Sequence, residues 1–92
     1  MRRIEWTTAF KRDFKREKGG QRGKLEQLLA AAVELLAADE PLPTAYRDHP
    51  LTGNWKGCRD CHLKPDLLLL YRKPDPEVLQ LVRLGSHSEL FG

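Results

Sequence analysis

The chain has 92 residues, of which 40% are hydrophobic and 32% are charged, and its formal net charge is +3. This length and composition exclude a disordered chain and a multidomain protein, so we expect residues 1–92 to form a single domain. No apolar run approaches the ~20 residues of a membrane span, and the charged N-terminus has no apolar signal core. We therefore expect a cytoplasmic protein with no membrane partner.

The first half of the chain predicts one strand followed by two helices. Residues 3–6 contain Ile and Trp, which is typical of a strand. Thr7 or Thr8 can cap a first helix, which two glycines end near residue 20. A second helix is expected from near Gly23, because apolar residues then recur at helical spacing at Leu25, Leu28, Leu29, Ala32 and Leu36.

The second half predicts a loop and three strands. Residues 41–54 contain three prolines and a turn signal, which is typical of a loop. We expect strands at residues 55–62, 67–72 and 78–84, a turn at 73–76 and a tail from Gly85. The resulting order, β-α-α-β-β-β, indicates an α+β fold in which a helical hairpin packs on a mainly antiparallel four-stranded sheet. The strand at 67–72 is largely apolar and is expected to be central, with both faces covered.

Basic residues are concentrated in and around the first predicted helix. Residues 10–24 include seven basic and two acidic residues. Such a surface is most often a solvated helix face, but it also suits contact with nucleic-acid phosphates. The candidate RNA-binding residues are Lys11, Lys15 and Lys18 on one side of the helix, with Arg12 and Arg16 beside them.

The two cysteines, Cys58 and Cys61, form a C-x-x-C pair. A structural zinc site needs four ligands, and the sequence has no second cysteine pair. In a strand, this spacing places the two side chains on opposite faces. We therefore expect reduced, half-buried cysteines. A zinc site built from the histidines and Asp66 has no metal-binding motif in its favour.

Three histidines, His49, His62 and His87, lie in the second half of the chain. Histidine exchanges protons near neutral pH, so two histidines on opposite sides of a phosphodiester can cleave RNA without a metal. One would take the proton of the 2′-hydroxyl, and the other would protonate the leaving 5′ oxygen. A single histidine would more often be an ordinary surface residue, and for the set of three both explanations stay open.

Several other side chains are candidates for supporting roles. Arg83 interrupts an apolar strand, so it needs a partner or a polar cleft. Cations that could stabilise the charge of a phosphorane are Arg83, Arg59 and Lys56. Asp66 or Asp60 could orient a histidine or share its proton. Phe91 either anchors the tail to the core or stacks on a base.

Two segments of the second half resemble a known family. Residues 46–57 are YRDHPLTGNWKG, and residues 83–92 are RLGSHSELFG. Together with the intervening Arg59, Asp60, His62, Pro65 and Asp66, they resemble the YafQ-like branch of the RelE/ParE superfamily. Members of this branch are toxins of bacterial type II toxin–antitoxin systems. The resemblance covers nearly the whole chain and implies the RelE-like microbial RNase fold.

The resemblance implies a ribosome-dependent endoribonuclease that needs no cofactor and cuts mRNA in the A site. The products would be a 2′,3′-cyclic phosphate and a 5′-hydroxyl. His87 would be the general acid and His49 the general base. His62 and Asp66 would support them, although either could instead be the base. The resemblance further implies a transition-state cation and an mRNA-orienting aromatic, which are Arg83 and Phe91. Leu67 stands where the family often has Trp, which would remove one aromatic contact to mRNA.

Two partners follow from the resemblance. One is the ribosome, where the basic first helix, with Lys56 and Arg59, would contact 16S rRNA and the A-site mRNA. The other is an acidic antitoxin with a ribbon-helix-helix DNA-binding region, which would form a heterotetramer with the toxin. A ParE-like gyrase inhibitor and a non-catalytic RNA- or protein-binding module on the same fold are the alternatives. The histidine set argues against both, because neither needs proton-transfer groups.

Overall fold

The structure is a computed structural model that describes residues 1–20 and 24–92. The predicted start of the second helix near Gly23 lies outside the described residues. Within the described ranges, every helix is too short or too polar to traverse a lipid bilayer.

Two helices form the predicted hairpin, α1 (Thr8–Gly19) and α2 (Leu25–Ala37). The hydroxyl of Thr7 caps α1 by accepting a hydrogen bond of 2.9 Å from the backbone N–H of Phe10. The apolar spacing of α2 buries four of the five predicted side chains, while Leu28 is only partly buried. The buried four are Leu25, Leu29, Ala32 and Leu36.

Five strands form one sheet. Their bounds are β1 (Arg3–Trp6), β2 (His49–Pro50), β3 (Arg59–Lys64), β4 (Leu67–Asp75) and β5 (Val78–Gly85). The order across the sheet is β1-β5-β4-β3-β2, in which β1 is parallel to β5 and the other pairs are antiparallel. β4 lies in the centre and its first five residues are buried, which confirms the predicted central strand.

The sheet separates two apolar clusters because successive side chains of a strand point to opposite faces. The larger cluster lies between the sheet and the α1–α2 hairpin and includes Phe10, Leu29 and Leu69. The smaller one lies on the other face, where Leu68 and Leu70 of β4 pack with Leu51, Trp55, Leu90 and Phe91. The candidate site described below lies on this second face.

The structure corrects four of the predicted elements. The turn predicted at 73–76 begins only after Asp75, because β4 continues to that residue. The sheet has five strands instead of four, because the segment predicted as a loop at 41–54 contains β2, which pairs with β3. The strand predicted at 55–62 begins only at Arg59, since Gly53–Trp55 forms a 3₁₀ turn. The predicted tail from Gly85 folds into a third helix, α3 (His87–Phe91), which has a capping box at its N-terminus.

Candidate active site

A cavity of about 270 Å³ opens where β2, β3 and α3 meet. Its lining combines two histidines, one carboxylate, two aromatic rings and two smaller side chains, which are His49, His87, Asp60, Trp55, Phe91, Leu51 and Thr52. Three of the predicted catalytic residues, His49, His87 and Phe91, therefore lie together. Concave sites with a few convergent polar groups are typical of ligand binding and catalysis.

The alternation of β3 brings its polar side chains to this side of the sheet. Asp60 pairs with Leu70 and His62 pairs with Leu68, and both of these leucines belong to the cluster on the cavity side. Cys61, between them, points to the opposite face and belongs to the core beneath the helical hairpin. Residues 60 and 62 thus face the same side as α3.

His49 is oriented by its own backbone and by Asp60. Its Nδ1 lies 2.7 Å from the carbonyl oxygen of Arg47 and 3.1 Å from Oδ1 of Asp60. A carbonyl oxygen can only accept, so the Nδ1–H donates to Arg47, and this tautomer leaves Nε2 as the nitrogen that can accept a proton. Arg47 reaches this position with a left-handed backbone (φ 50°), which is unusual for a non-glycine residue.

Asp60 is a buried carboxylate, with 3% of its surface exposed. Its Oδ1 has no hydrogen-bond partner among the residues that the structure describes, since the Nδ1 proton of His49 is directed to Arg47. Burial raises the pKa of Asp60, and the nearby positive charges of His49, His62 and His87 offset only part of that effect. All three histidines of the chain therefore lie close enough to the Asp60 carboxylate to affect its pKa.

The position of His87 follows from the capping of α3. The hydroxyl of Ser86 accepts from the backbone N–H of Glu89, and the Glu89 carboxylate accepts from the backbone N–H of Ser86 at 2.8 Å. Oδ1 of Asp66 accepts a further hydrogen bond of 3.0 Å from the backbone N–H of His87. These contacts satisfy the first N–H groups of the helix and fix its first residue.

Aromatic rings form one wall of the cavity. His87 and Phe91 lie one helical turn apart, with ring centroids 5.0 Å from each other. The ring of Trp55 meets that of Phe91 edge to face at 6.4 Å. Leu90, on the other side of α3, is buried and anchors the helix to the sheet. Phe91 therefore has both a packing contact and an accessible position at the cavity.

Three predicted catalytic residues lie outside this cavity. His62 lines an adjacent cavity, and its Nδ1 lies 3.2 Å from the carbonyl oxygen of Pro65. Asp66 contributes its carboxylate to the α3 cap, as described above. Arg83 is held by Asp13 of α1, with Nε 2.6 Å from Oδ2 and Nη2 3.2 Å from Oδ1. The partner that Arg83 was expected to need is this aspartate.

The predicted RNA-binding residues fall into two groups. Five lie on α1 and all five are exposed, namely Lys11, Arg12, Lys15, Arg16 and Lys18. Lys18 also forms an ion pair of 2.9 Å with Glu26. Arg16 differs from the other four, because its guanidinium is engaged by neighbouring acids. The second group is Lys56, which is exposed and follows Trp55 of the cavity, and Arg59, which pairs with Asp48 at 3.2 Å and lines a different cavity with Tyr71.

The cysteines are free thiols and both are buried, not half-buried as the sequence predicted. Cys61 belongs to the core and Cys58 precedes β3, so they do not alternate within one strand as expected. Burial raises the pKa of Cys61 to about 12 and also raises that of Cys58. Among residues 1–20 and 24–92, no three histidine, cysteine or acidic side chains are arranged to hold a metal ion.

Two aspartates, Asp60 and Asp13, have closer contacts with the candidate site residues than the sequence indicated. Asp60, and not the predicted Asp66, is the acid that contacts His49. The spacing of Asp60 and His62, two residues apart in a strand, was the available signal for a shared face. Asp13 lies three residues after Phe10 on the buried stripe of α1, and an acid at such a position needs a cationic partner.

Comparison with known proteins links this geometry to one family. A family model described as the bacterial toxin of type II toxin–antitoxin system, YafQ, matches residues 2–92. The mRNA interferase toxin YafQ of Escherichia coli K12 is 39% identical over 94 residues, covering 100% of this chain and 98% of that protein.

Solved structures share the fold as well. The crystal structure of the E. coli DinJ–YafQ complex contains a chain that is 39% identical, with a TM-score of 0.85 and full coverage of both chains. A toxin from Helicobacter pylori, crystallised in a metal-bound form, is 48% identical with a TM-score of 0.88, covering 99% of this chain and 100% of that one.

Proposed function

The chain belongs to the YafQ family of bacterial type II toxins, and we propose that it is an endoribonuclease that cleaves mRNA in the ribosomal A site. The observation that carries this proposal is the single cavity that gathers His49, His87 and Phe91 around the buried Asp60. The mRNA interferase named among its relatives is 39% identical over the full length of this chain.

The cavity supports cleavage by internal attack of the ribose. Nε2 of His49 takes the proton of the 2′-hydroxyl, and the 2′ oxygen forms a bond to the adjacent phosphorus. The bond between phosphorus and the 5′ oxygen breaks, and the imidazolium of His87 donates its proton to that oxygen. The products are a 2′,3′-cyclic phosphate and a 5′-hydroxyl, so no outside reactant is consumed.

His49 suits the base better than its alternatives because of its tautomer. Its Nδ1–H is committed to Arg47, so Nε2 is the proton acceptor, and the imidazolium that forms lies 3.1 Å from the Asp60 carboxylate. A carboxylate at this distance stabilises the charged ring electrostatically, without the Nδ1–H hydrogen bond that the aspartate of a Ser-His-Asp triad accepts. Asp66 is a weaker candidate, since one of its oxygens already accepts from the backbone of His87.

The remaining residues act on charge and on the position of the mRNA. Phe91 and Trp55 offer aromatic faces on which an mRNA base can stack, an interaction worth roughly 1–3 kcal/mol per base. His62 faces the same side of the sheet as Asp60 and is assigned the supporting role that the family resemblance implies. Arg83 is the transition-state cation that the family resemblance implies, and its guanidinium is anchored by Asp13 of α1 outside the cavity.

Two macromolecular partners belong to this proposal. The exposed cations of α1, together with Lys56 and Arg59, contact 16S rRNA and mRNA phosphates, which position the toxin without reading sequence. The second partner is a cognate antitoxin that carries a ribbon-helix-helix DNA-binding region and forms a heterotetramer with the toxin. A relative of this chain crystallised in complex with DinJ supports an antitoxin partner.

The other functions considered for this fold do not use the observed cavity. A ParE-like gyrase inhibitor or a non-catalytic binding module would leave the paired histidines and the buried Asp60 without a role. A buried acceptor without a hydrogen bond lowers stability, so its presence is better explained by catalysis.

Single-turnover cleavage of mRNA on programmed ribosomes tests the proposal. We expect wild-type protein to cleave with a bell-shaped pH dependence, and His87→Ala or His49→Ala to slow cleavage by about 10²–10⁴-fold. An mRNA with one 2′-deoxynucleotide at the scissile position is the matched substrate control and should stay intact. If wild type leaves the normal mRNA intact but inhibits gyrase, the gyrase alternative replaces this proposal.

A further inference from the structure

The buried side of α1 contains a charged network that ties Arg83 to Asp13 and Arg16, two residues that have no role in the proposed cleavage steps. Asp13 is 3% exposed and accepts four hydrogen bonds. Arg83 donates two of them, the backbone N–H of Leu84 donates one at 3.0 Å, and Arg16 donates one at 2.9 Å. One aspartate of α1 thus holds the end of β5 at the residues that precede α3.

Arg16 extends this network to the helix that carries His87. Its Nε lies 3.1 Å from Glu17 and 3.2 Å from Glu89, and its Nη2 donates to the carbonyl oxygen of Leu84 at 2.9 Å. Glu89 is the residue that completes the capping box of α3. All three nitrogens of the guanidinium are therefore occupied by this chain, although 42% of the side chain is exposed.

The packing at Gly85 shows how closely the guanidinium approaches the backbone. A Cβ added at Gly85 would lie 2.8 Å from Nη2 of Arg16 and 3.1 Å from Oε1 of Glu89. A glycine at this position leaves room for the contact between the end of β5 and the two charged groups. The planar fork of arginine can bridge several acceptors at once, which a lysine cannot do.

We propose that Asp13 and Arg16 are positioning residues, which hold Arg83 and the His87-bearing helix α3 in place for cleavage. This inference rests on the proposed function and replaces the expectation that Arg16 contacts RNA. Without Arg16, the Asp13, Glu17 and Glu89 carboxylates lose the cation they share, and the cap of α3 is no longer tied to α1. The two catalytic groups would then occupy their working positions for a smaller fraction of the time.

The kinetic test compares Arg16→Gln with Lys15→Gln, which removes the adjacent exposed cation of the same helix. In single-turnover cleavage, Arg16→Gln should lower the rate at saturating ribosomes by about 10–100-fold and leave the ribosome Kd unchanged. Lys15→Gln should do the reverse, weakening binding while the saturated rate is kept. Arg16→Lys should recover part of the rate. If Arg16→Gln instead weakens binding as Lys15→Gln does, Arg16 is a phosphate contact and the proposal is wrong.

A second measurement is independent of cleavage. Amide hydrogen exchange of residues 86–91 should become at least about tenfold faster in Arg16→Gln, while exchange in β4 is unchanged. Gly85→Ala crowds the Arg16 guanidinium and keeps every charge. It should also slow cleavage and speed amide exchange in α3, and it replaces Arg16→Gln in the test if that variant does not fold. Unchanged exchange in α3 for both variants would overturn the inference. If wild type cleaves no mRNA, the exchange measurement still tests whether Arg16 holds α3 in place.

Discussion

Two aspartates of this chain show how the same side chain is used for opposite purposes. Asp13 and Asp60 are each 3% exposed. Burial raises the pKa of Asp13, but hydrogen bonds from Arg83 and Leu84 and the nearby arginine charges outweigh it, so its pKa lies below the ordinary value. Burial dominates at Asp60, so its pKa lies above the ordinary value. The ionised Asp13 therefore stabilises the fold, whereas the ionised Asp60 lowers its stability.

Asp60→Asn should therefore make the protein more stable and less active. Because the folded-state pKa of Asp60 is raised, ionisation penalises the native state as pH rises above the unfolded-state pKa near ~4. We expect the variant to gain about 1 kcal/mol in free energy of unfolding at pH 7, with the gain vanishing below about pH 4. Urea unfolding at both pH values measures this, and cleavage should fall because the His49 imidazolium loses its counter-charge.

The matched control for this prediction is Asp48→Asn, another aspartate near the sheet edge. Asp48 accepts hydrogen bonds from Arg59 and Tyr71. Its replacement should lower stability at pH 7, since it removes acceptors that are in use. If Asp60→Asn is destabilised at pH 7 to the same extent, the account of Asp60 as an electrostatically unfavourable group is incorrect.

At the scale of secondary-structure elements, the contact between α1 and the end of β5 depends on the carboxylate of Asp13. Asp13→Asn should cost about 2 kcal/mol at pH 7, because the charge that pairs Arg83 and Arg16 is lost. The pKa of Asp13 is lowered in the folded state, so its contribution is present at neutral pH and is lost as pH falls through that lowered value. The difference between wild type and variant should therefore be constant from pH 7 to about pH 4 and shrink only at lower pH, which thermal unfolding between pH 7 and about pH 1.5 can follow. A constant difference across that range would contradict this assignment.

The long, periodic elements and the short strand β1 were predicted well, whereas β2 and α3 were not. The spacing of leucines in α2 and the threonine cap of α1 are strong local signals, and both are present as predicted. β2 has only two residues, His49–Pro50, which are too few for an alternating pattern. It exists because β3 offers a pairing edge, a long-range contact that local sequence does not encode.

The sequence contains a capping-box signal for the third helix that was not used to predict it. Ser86 and Glu89 are spaced as a capping box, yet five residues are too short for apolar periodicity to reveal a helix. The same limit applies to the site. Sequence indicated the histidines as proton-transfer groups, but the contact of His49 with Asp60 depends on the pairing of β2 with β3. The role of Asp13 depends on α1 packing against β5.

For the whole molecule, the sheet divides two surfaces that the proposed function needs together. The cavity with its histidines lies on one face, and α1 with its exposed cations packs on the other. Under the proposed function, this arrangement separates the exposed lysines of α1 from the cavity, because the sheet lies between them. Ribosome binding and the rate of cleavage should therefore respond independently to substitution of these lysines and of the cavity residues.

Salt dependence of ribosome binding gives the sharpest test of that separation. Replacing Lys11 and Lys15 by Gln should reduce the slope of log Kd against log salt by about 1 for each lysine, if each contacts one phosphate. The rate of cleavage at saturating ribosomes should not change, since the cavity lies across the sheet. Arg3→Gln is the matched control, because Arg3 is an exposed cation on β1 that pairs with Glu5. An equal loss of slope in Arg3→Gln would mean that net charge attracts the ribosome and α1 is not a specific contact surface.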